Sequence, residues 1–330
     1  MARTRRQWIS QQAGSFHIIS RTAGGDVRFT DEEKEYFLDL LERFASGFFV
    51  EIHTFSIMGT HFHILATGLE LQAEKADAKE LNRRYRLIYG QDAEPPVGSY
   101  EVDGSIIPDE DGGVERLRQR LGSISRFVQE LKQTFSFWYN KRHNRKGYLW
   151  GDRFKGVIVE KGEAQLVCSA YIDLNPVRAN IVKRPEDYRW SSLGLRVGNP
   201  GRAKKLLGAI FESSGYGDSI VREMKMIDTA NESDINILSW YRLFVYISGS
   251  ISREGKGKIP QELVDEVKRC HGKLGIGDRL GYRVRNISGG LAIGSYGFIS
   301  SMQEKLKRKF IRPRSFFPGN LLYATRVLQA

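Results

Sequence analysis

FFVEIHTFSIMGTHFHILAT, residues 48–67, decides the fold. It holds two apolar runs rich in β-branched and aromatic residues, split by Gly59, and this pattern predicts an antiparallel hairpin. Its second arm carries His61 and His63, two of only six histidines in 330 residues. Side chains alternate between the faces of a strand, so both imidazoles emerge on one face, roughly 6 to 7 Å apart. Two readings stay open at this point: a pair of packed core histidines, or two nitrogens converging on one divalent cation.

The flanking segments extend the pattern. GSFHIISRT (14–22) reads as a strand, and DEEKEYFLDLLERFA (31–45) as a helix with acids at its start and Tyr36, Phe37, Leu40, Leu41 and Phe44 at helical spacing. VERLRQRLGSISRFVQELKQTFSFWYNKRHN (114–144) predicts one long amphipathic helix, and FKGVIVEKG (154–162) a fourth strand. The order βαββαβ predicts an α+β fold of ferredoxin-like type, an antiparallel sheet with two helices on one face. Residues 70–114, charged and then rich in Pro, Gly and acids, read as an exposed insertion in a catalytic domain spanning 1–197. Residues 198–330 read as a mainly helical, basic C-terminal region, with helices expected near 203–213, 217–227, 235–247 and 261–271.

EAQLVCSAYIDLN (163–175) predicts a further helix that Pro176 ends at Asn175. Tyr171 and Asn175 are four apart and share a helical face. By periodicity alone Tyr171 reads as a core aromatic. If the helix lies on the histidine face of the sheet, the Asn175 side-chain oxygen can complete a His/His/amide site beside the Tyr171 hydroxyl.

The net charge of +12 is uneven: −1 for residues 1–69, −6 for 70–114, +9 for 115–200 and +10 for 201–330. Such a distribution suits a polyanion, nucleic acid above all, or serves solubility alone. Two cysteines, Cys168 and Cys270, are too few for a disulfide framework. MARTRRQW is followed by no apolar run, and no stretch approaches the roughly 20 apolar residues that span a bilayer. The expected compartment is the cytoplasm.

THFHILA resembles the histidine-hydrophobic-histidine motif of the HUH endonuclease superfamily, and YIDLNPVRANIV with PEDYRWSS resembles the block of its single-tyrosine transposases. Within these the chain is most similar to the REP-associated tyrosine transposases. SFHIISR, GYLWGDRFK (147–155), SWYRLFV (239–245) and LAIGSYGFI (291–299) also fit, while the acidic insertion does not. The chain departs from the family pattern before the first histidine, where Gly59 and Thr60 stand in place of Pro and Asn. The resemblance implies that His61, His63 and Asn175 hold a metal, Mg²⁺ or Mn²⁺, and that Tyr171 is the nucleophile. It further implies cleavage and rejoining of single-stranded DNA at hairpin-forming or inverted repeats through a 5′-phosphotyrosine, with an active site built from one chain or from a homodimer.

FSFWYNKRHNRKGYLWGDRFK (135–155) interleaves aromatics with Lys141, Arg142, Arg145, Lys146, Arg153 and Lys155, a pattern suited to stacked bases beside phosphates. Arg3, Arg5 and Arg6 at the N-terminus, the run KLKRKFIRPR (305–314) and Arg178 in the motif block are further candidates for DNA contact. His17, His53, His143 and His271 have no partner predicted from sequence. The rival readings are a catalytically silent single-strand-binding module on the same fold, and a hydrolase that uses water in place of Tyr171.

Overall fold

The structure is a computed structural model. It describes residues 15–25, 29–94, 112–208, 237–268 and 292–305, with short paired strands at 101–102, 105–106, 314–315 and 323–325. The first elements are β1 (Ser15–Arg21), α1 (Asp31–Gly47), β2 (Val50–Ile57) and β3 (His61–Gly68). A capping box starts α1: the Thr30 side chain accepts from Glu33 N and the Glu33 carboxylate accepts from Thr30 N. The hairpin turns through residues 58–60, with Met58 N donating to His61 O at 2.8 Å. A bulge at His53 interrupts the register between Ile52 and Thr54.

The insertion is partly built into the body. It forms α2 (Glu70–Lys75) and α3 (Ala78–Tyr89), and Leu81 and Ile88 of α3 are buried against α1. The single helix expected over 114–144 is instead two, α4 (Gly113–Leu121) and α5 (Ile124–Arg142). Gly122 ends the first, and the Ser123 side chain caps the second by accepting from Arg126 N. The fourth strand follows as β4 (Lys155–Val159), then α6 (Glu163–Asp173) and the one-turn α7 (Asn175–Arg178).

The four strands form an antiparallel sheet in the order β2-β3-β1-β4. Phe16, Ile18, Phe62, Ile64 and Ala66 point to one face, where α1 and α5 cover them with Phe37, Leu41, Phe127, Leu131 and Phe135 in one core. A fully buried Phe or Leu is worth about 1.5–3 kcal/mol against exposure, so this cluster carries much of the domain's stability. Leu65, Val157 and Val159 point the other way, into a second core built by α6. His61 and His63 are in step with Leu65 on this second face.

Segment 185–207 seals the edge of β2. Ile57 N donates to Trp190 O at 2.9 Å and the Tyr188 hydroxyl to Ile57 O at 2.7 Å. Helices α8 (Ser192–Gly198) and α9 (Pro200–Leu206) follow, and Arg202 pins α9 to α1 through Glu35, Asp39 and Glu42. Of the C-terminal helices, α10 (Ile237–Ser250) packs on α6 and on α11 (Gln261–Lys268). The expected 217–227 helix lies outside the described residues. The C-terminal region is not purely helical: β5 (Ala292–Gly294) pairs parallel to β4 and extends the sheet, ahead of α12 (Tyr296–Lys305). Two further short strands, Arg314–Ser315 and Tyr323–Thr325, continue it.

Candidate active site

The site is built on the face of the sheet that α6 covers. His61 and His63 have ring centroids 5.2 Å apart, with their planes nearly perpendicular. Each Nδ1 is engaged. Thr60 Oγ1 meets His61 Nδ1 at 3.1 Å, and His17 Nε2 meets His63 Nδ1 at 2.9 Å. Burial pushes the His61 imidazole down to about 4, with Arg21 and Lys256 adding to the effect. Burial also holds His63 well below its usual value, helped by His17, His61 and Arg21. Both rings are therefore neutral at physiological pH, the form that a metal requires.

His17 is the residue that sequence reasoning missed. It lies on β1, where Ile19 pairs with His63 and His17 with Leu65, so it sits diagonally across from His63 on the same face. The signal was present: His17 and Ile19 alternate with Phe16 and Ile18. Reading it required the β1–β3 register, which no local pattern contains.

Tyr171 reaches this cluster from α6. Its ring stands edge-on to His63 at 5.8 Å and to His17 at 5.9 Å between centroids. The helix is fixed by Asp173, a fully buried carboxylate that accepts from Ser192 Oγ at 2.6 Å, Leu193 N at 3.0 Å and the Tyr241 hydroxyl at 2.7 Å. Burial lifts Asp173 to about 6 in spite of those three bonds. α6 ends at Asp173 rather than Asn175, because the chain turns at Leu174 and restarts with Pro176 in the first turn of α7. Asn175 is half-buried, and its Nδ2 donates back to Tyr171 O at 3.0 Å and Ile172 O at 3.3 Å.

The donors fit a divalent cation. Two neutral imidazoles have their Nδ1 atoms satisfied by neighbours, as ligating histidines usually do. Among the described residues no three His, Cys, Asp or Glu side chains group to hold a metal ion.

The predicted DNA-contacting residues divide. Lys141, Arg142, Arg145, Lys146, Arg153 and Lys155 are all exposed, beside Tyr148, which is 91% exposed, and Phe137 at 67%. Phe135 and Tyr139 face the core, and Arg145 lies over the Tyr139 ring at 5.8 Å. Arg142 is paired with Glu32 and stands 5.5 Å from the Trp138 ring. Arg178 is a correction. It is 8% exposed, and its guanidinium donates to the carbonyls of Ser248, Ile251 and Gly257, so it is a structural clamp and not a surface contact. Arg3, Arg5 and Arg6, with most of the 305–314 run, lie outside the described residues. Of the remaining histidines, His53 bonds Thr67 Oγ1 at 2.7 Å and His143 pairs with Glu33.

No family model and no curated protein matches the chain. Among solved structures it is similar to a REP-associated tyrosine transposase bound to a REP hairpin, at 14% identity and a TM-score of 0.38. The match covers 65% of this chain and 97% of that one.

Proposed function

We propose that the protein is a metal-dependent, single-tyrosine DNA nuclease and strand transferase on a ferredoxin-like core. Its substrate on this reading is single-stranded DNA at hairpin-forming repeats. The observation that carries the proposal is the convergence of His61, His63 and Tyr171, from two elements more than 100 residues apart in sequence, on one side of the sheet. The motif resemblance of THFHILA and YIDLNPVRA supports it.

His61, His63 and Asn175 would hold the cation. When bound, a divalent ion there supplies charge to a phosphate oxygen and offsets the negative charge that develops in phosphoryl transfer. His17 holds the His63 ring through Nδ1, Thr60 does the same for His61, and Asp173 holds the helix that carries the nucleophile. The Tyr171 hydroxyl oxygen attacks phosphorus and forms a P–O bond as the P–O3′ bond breaks. The phenolic proton passes to solvent, and the leaving 3′-oxygen takes a proton from solvent. One phosphoester replaces another, so an incoming 3′-hydroxyl reverses the step and joins strands with no energy source.

The test is a covalent adduct between the protein and a single-stranded hairpin oligonucleotide in Mn²⁺. Tyr171→Phe is expected to abolish it. An adduct that persists in the variant refutes the assignment of the nucleophile, and binding without cleavage in any metal establishes the silent-module reading.

A further inference from the structure

Helix α3 of the insertion, α4 and α5 enclose a groove of about 750 Å³ on the outer side of the helix layer. α5 turns Phe127, Leu131 and Phe135 onto the sheet face opposite to the one that α6 covers, so the groove and Tyr171 lie on opposite sides of the sheet. One polar knot holds the groove's shape. The Tyr89 hydroxyl donates to Glu130 and accepts from Arg120 Nη2 at 2.6 Å, and Arg120 donates to Glu130 through Nε at 2.8 Å and Nη2 at 3.0 Å. Those three side chains come from α3, α4 and α5, so the knot joins the three helices.

The lining is basic. Arg116, Arg120 and Arg126 line the groove against Glu130 alone, and Arg120 already offsets that carboxylate. Glu115, the one acid of α4, pairs with Arg118. Arg126 is exposed and has no ion pair among the described residues; its guanidinium donates to an uncharged partner, Gln129 Oε1, at 3.3 Å. Along α5 Arg126, Gln129, Gln133 and Phe137 follow at spacings of three, four and four, so they form one line roughly 16 Å long. Phe137, at the end of that line, is 67% exposed. A single exposed phenylalanine is ordinary on a protein surface, but this one shares a concave wall with a cation and with two exposed glutamines, whose amides both donate and accept hydrogen bonds. An aromatic face, amides and guanidiniums in one line match a base, its edge and its phosphates. In a duplex only the end pairs expose a face, so stacking on Phe137 selects unpaired bases.

We propose that this groove is a second binding surface, for single-stranded nucleic acid, in which Arg126 holds a phosphate and Phe137 stacks on a base. Its nucleotides are not those at Tyr171, because the sheet lies between the two. Lys141 follows Phe137 by four residues, so the line runs on into the basic segment 141–155. The inference takes its ligand class from the groove itself and does not depend on cleavage.

The experiment uses the full chain without divalent metal and follows the fluorescence anisotropy of a labelled oligothymidylate, which forms no hairpin, across a salt series. A blunt duplex of equal length is the second probe. Phe137→Ala is expected to weaken oligothymidylate binding at least fivefold, the lower end for loss of one stacked base, with the salt slope unchanged. Phe137→Tyr should keep the wild-type affinity. Arg126→Gln should lower the slope of log affinity against log salt by about 0.7, the value for one phosphate contact on a single strand. Lys204→Ala, on exposed α9 surface, removes a cation away from the groove and should change neither reading. Wild-type affinity and slope in both groove variants overturn the proposal. So does an equal loss for the duplex in Phe137→Ala, which would leave no selection for unpaired bases. Adduct formation with a hairpin oligonucleotide in Mn²⁺ is read separately: no adduct in any protein, with the groove variants still impaired, refutes the nuclease reading and leaves the groove standing.

Discussion

Arg178→Met removes a guanidinium that sequence places on the DNA and structure places inside the protein. The methionine stem retains much of the packing and deletes hydrogen bonds to three carbonyls at 2.8, 3.1 and 3.0 Å. Hydrogen bonds from a charged donor contribute about 1.5–3 kcal/mol each, but the gain is partly offset because burying this guanidinium is itself costly. Burial lowers the Arg178 ionisation to about 10, a direct sign of that cost. A net loss of about 2–4 kcal/mol follows, and it falls on the docking of residues 248–257 rather than on the two cores. At about 1.4 kcal/mol per factor of ten, amides of the loop should exchange with solvent roughly 30- to 1000-fold faster, while β1, β3 and α1 keep their protection. Hydrogen exchange read by mass spectrometry resolves the two regions. Unchanged protection at 248–258, together with weaker and less salt-dependent DNA binding, would refute the clamp and return Arg178 to the surface role.

Other outcomes are expected with the same directness. Double substitution His61→Ala/His63→Ala should abolish saturable Mn²⁺ binding in calorimetry, and His17→Leu should weaken it about 10- to 100-fold by freeing the His63 ring. His53 is fully buried, and burial, with Lys161 and Arg196 nearby, pushes it down to about 3 from 6.5. The unfolded chain therefore binds its proton first, so stability is intact above pH 6.5 and declines as pH falls toward 3, by up to about 5 kcal/mol. Denaturant midpoints against pH should show this limb, and His53→Leu should flatten it. Asp173 has the opposite sign: its folded value is raised from 3.8 to about 6, so stability declines by about 3 kcal/mol as pH rises across that window, and Asp173→Asn should remove the decline. Gly47→Ala places a Cβ 2.2 Å from Ile88 Cγ1 and 2.7 Å from Arg84 O, and should lower the melting temperature by disturbing the α1–α3 contact.

The sequence by itself determined the local elements and what they present. Alternation over FFVEIHTFSIMGTHFHILAT specified a hairpin with both motif histidines on one face, and the spacing of Tyr171 and Asn175 specified neighbours near a helix end. These are short-range facts, set by the periods of 2 and 3.6 residues. The break between α4 and α5 was also written locally, in Gly122 and Ser123, but a continuous apolar stripe across it masked the cap. Tertiary structure alone decided which face α6 covers, that His17 joins His63 across 46 residues, and that Arg178 spends its charge on carbonyls 70 to 79 residues away. Register between strands and docking of a distant loop follow from which apolar faces must be buried together, and that choice is made by the whole chain at once, so no window of sequence contains it.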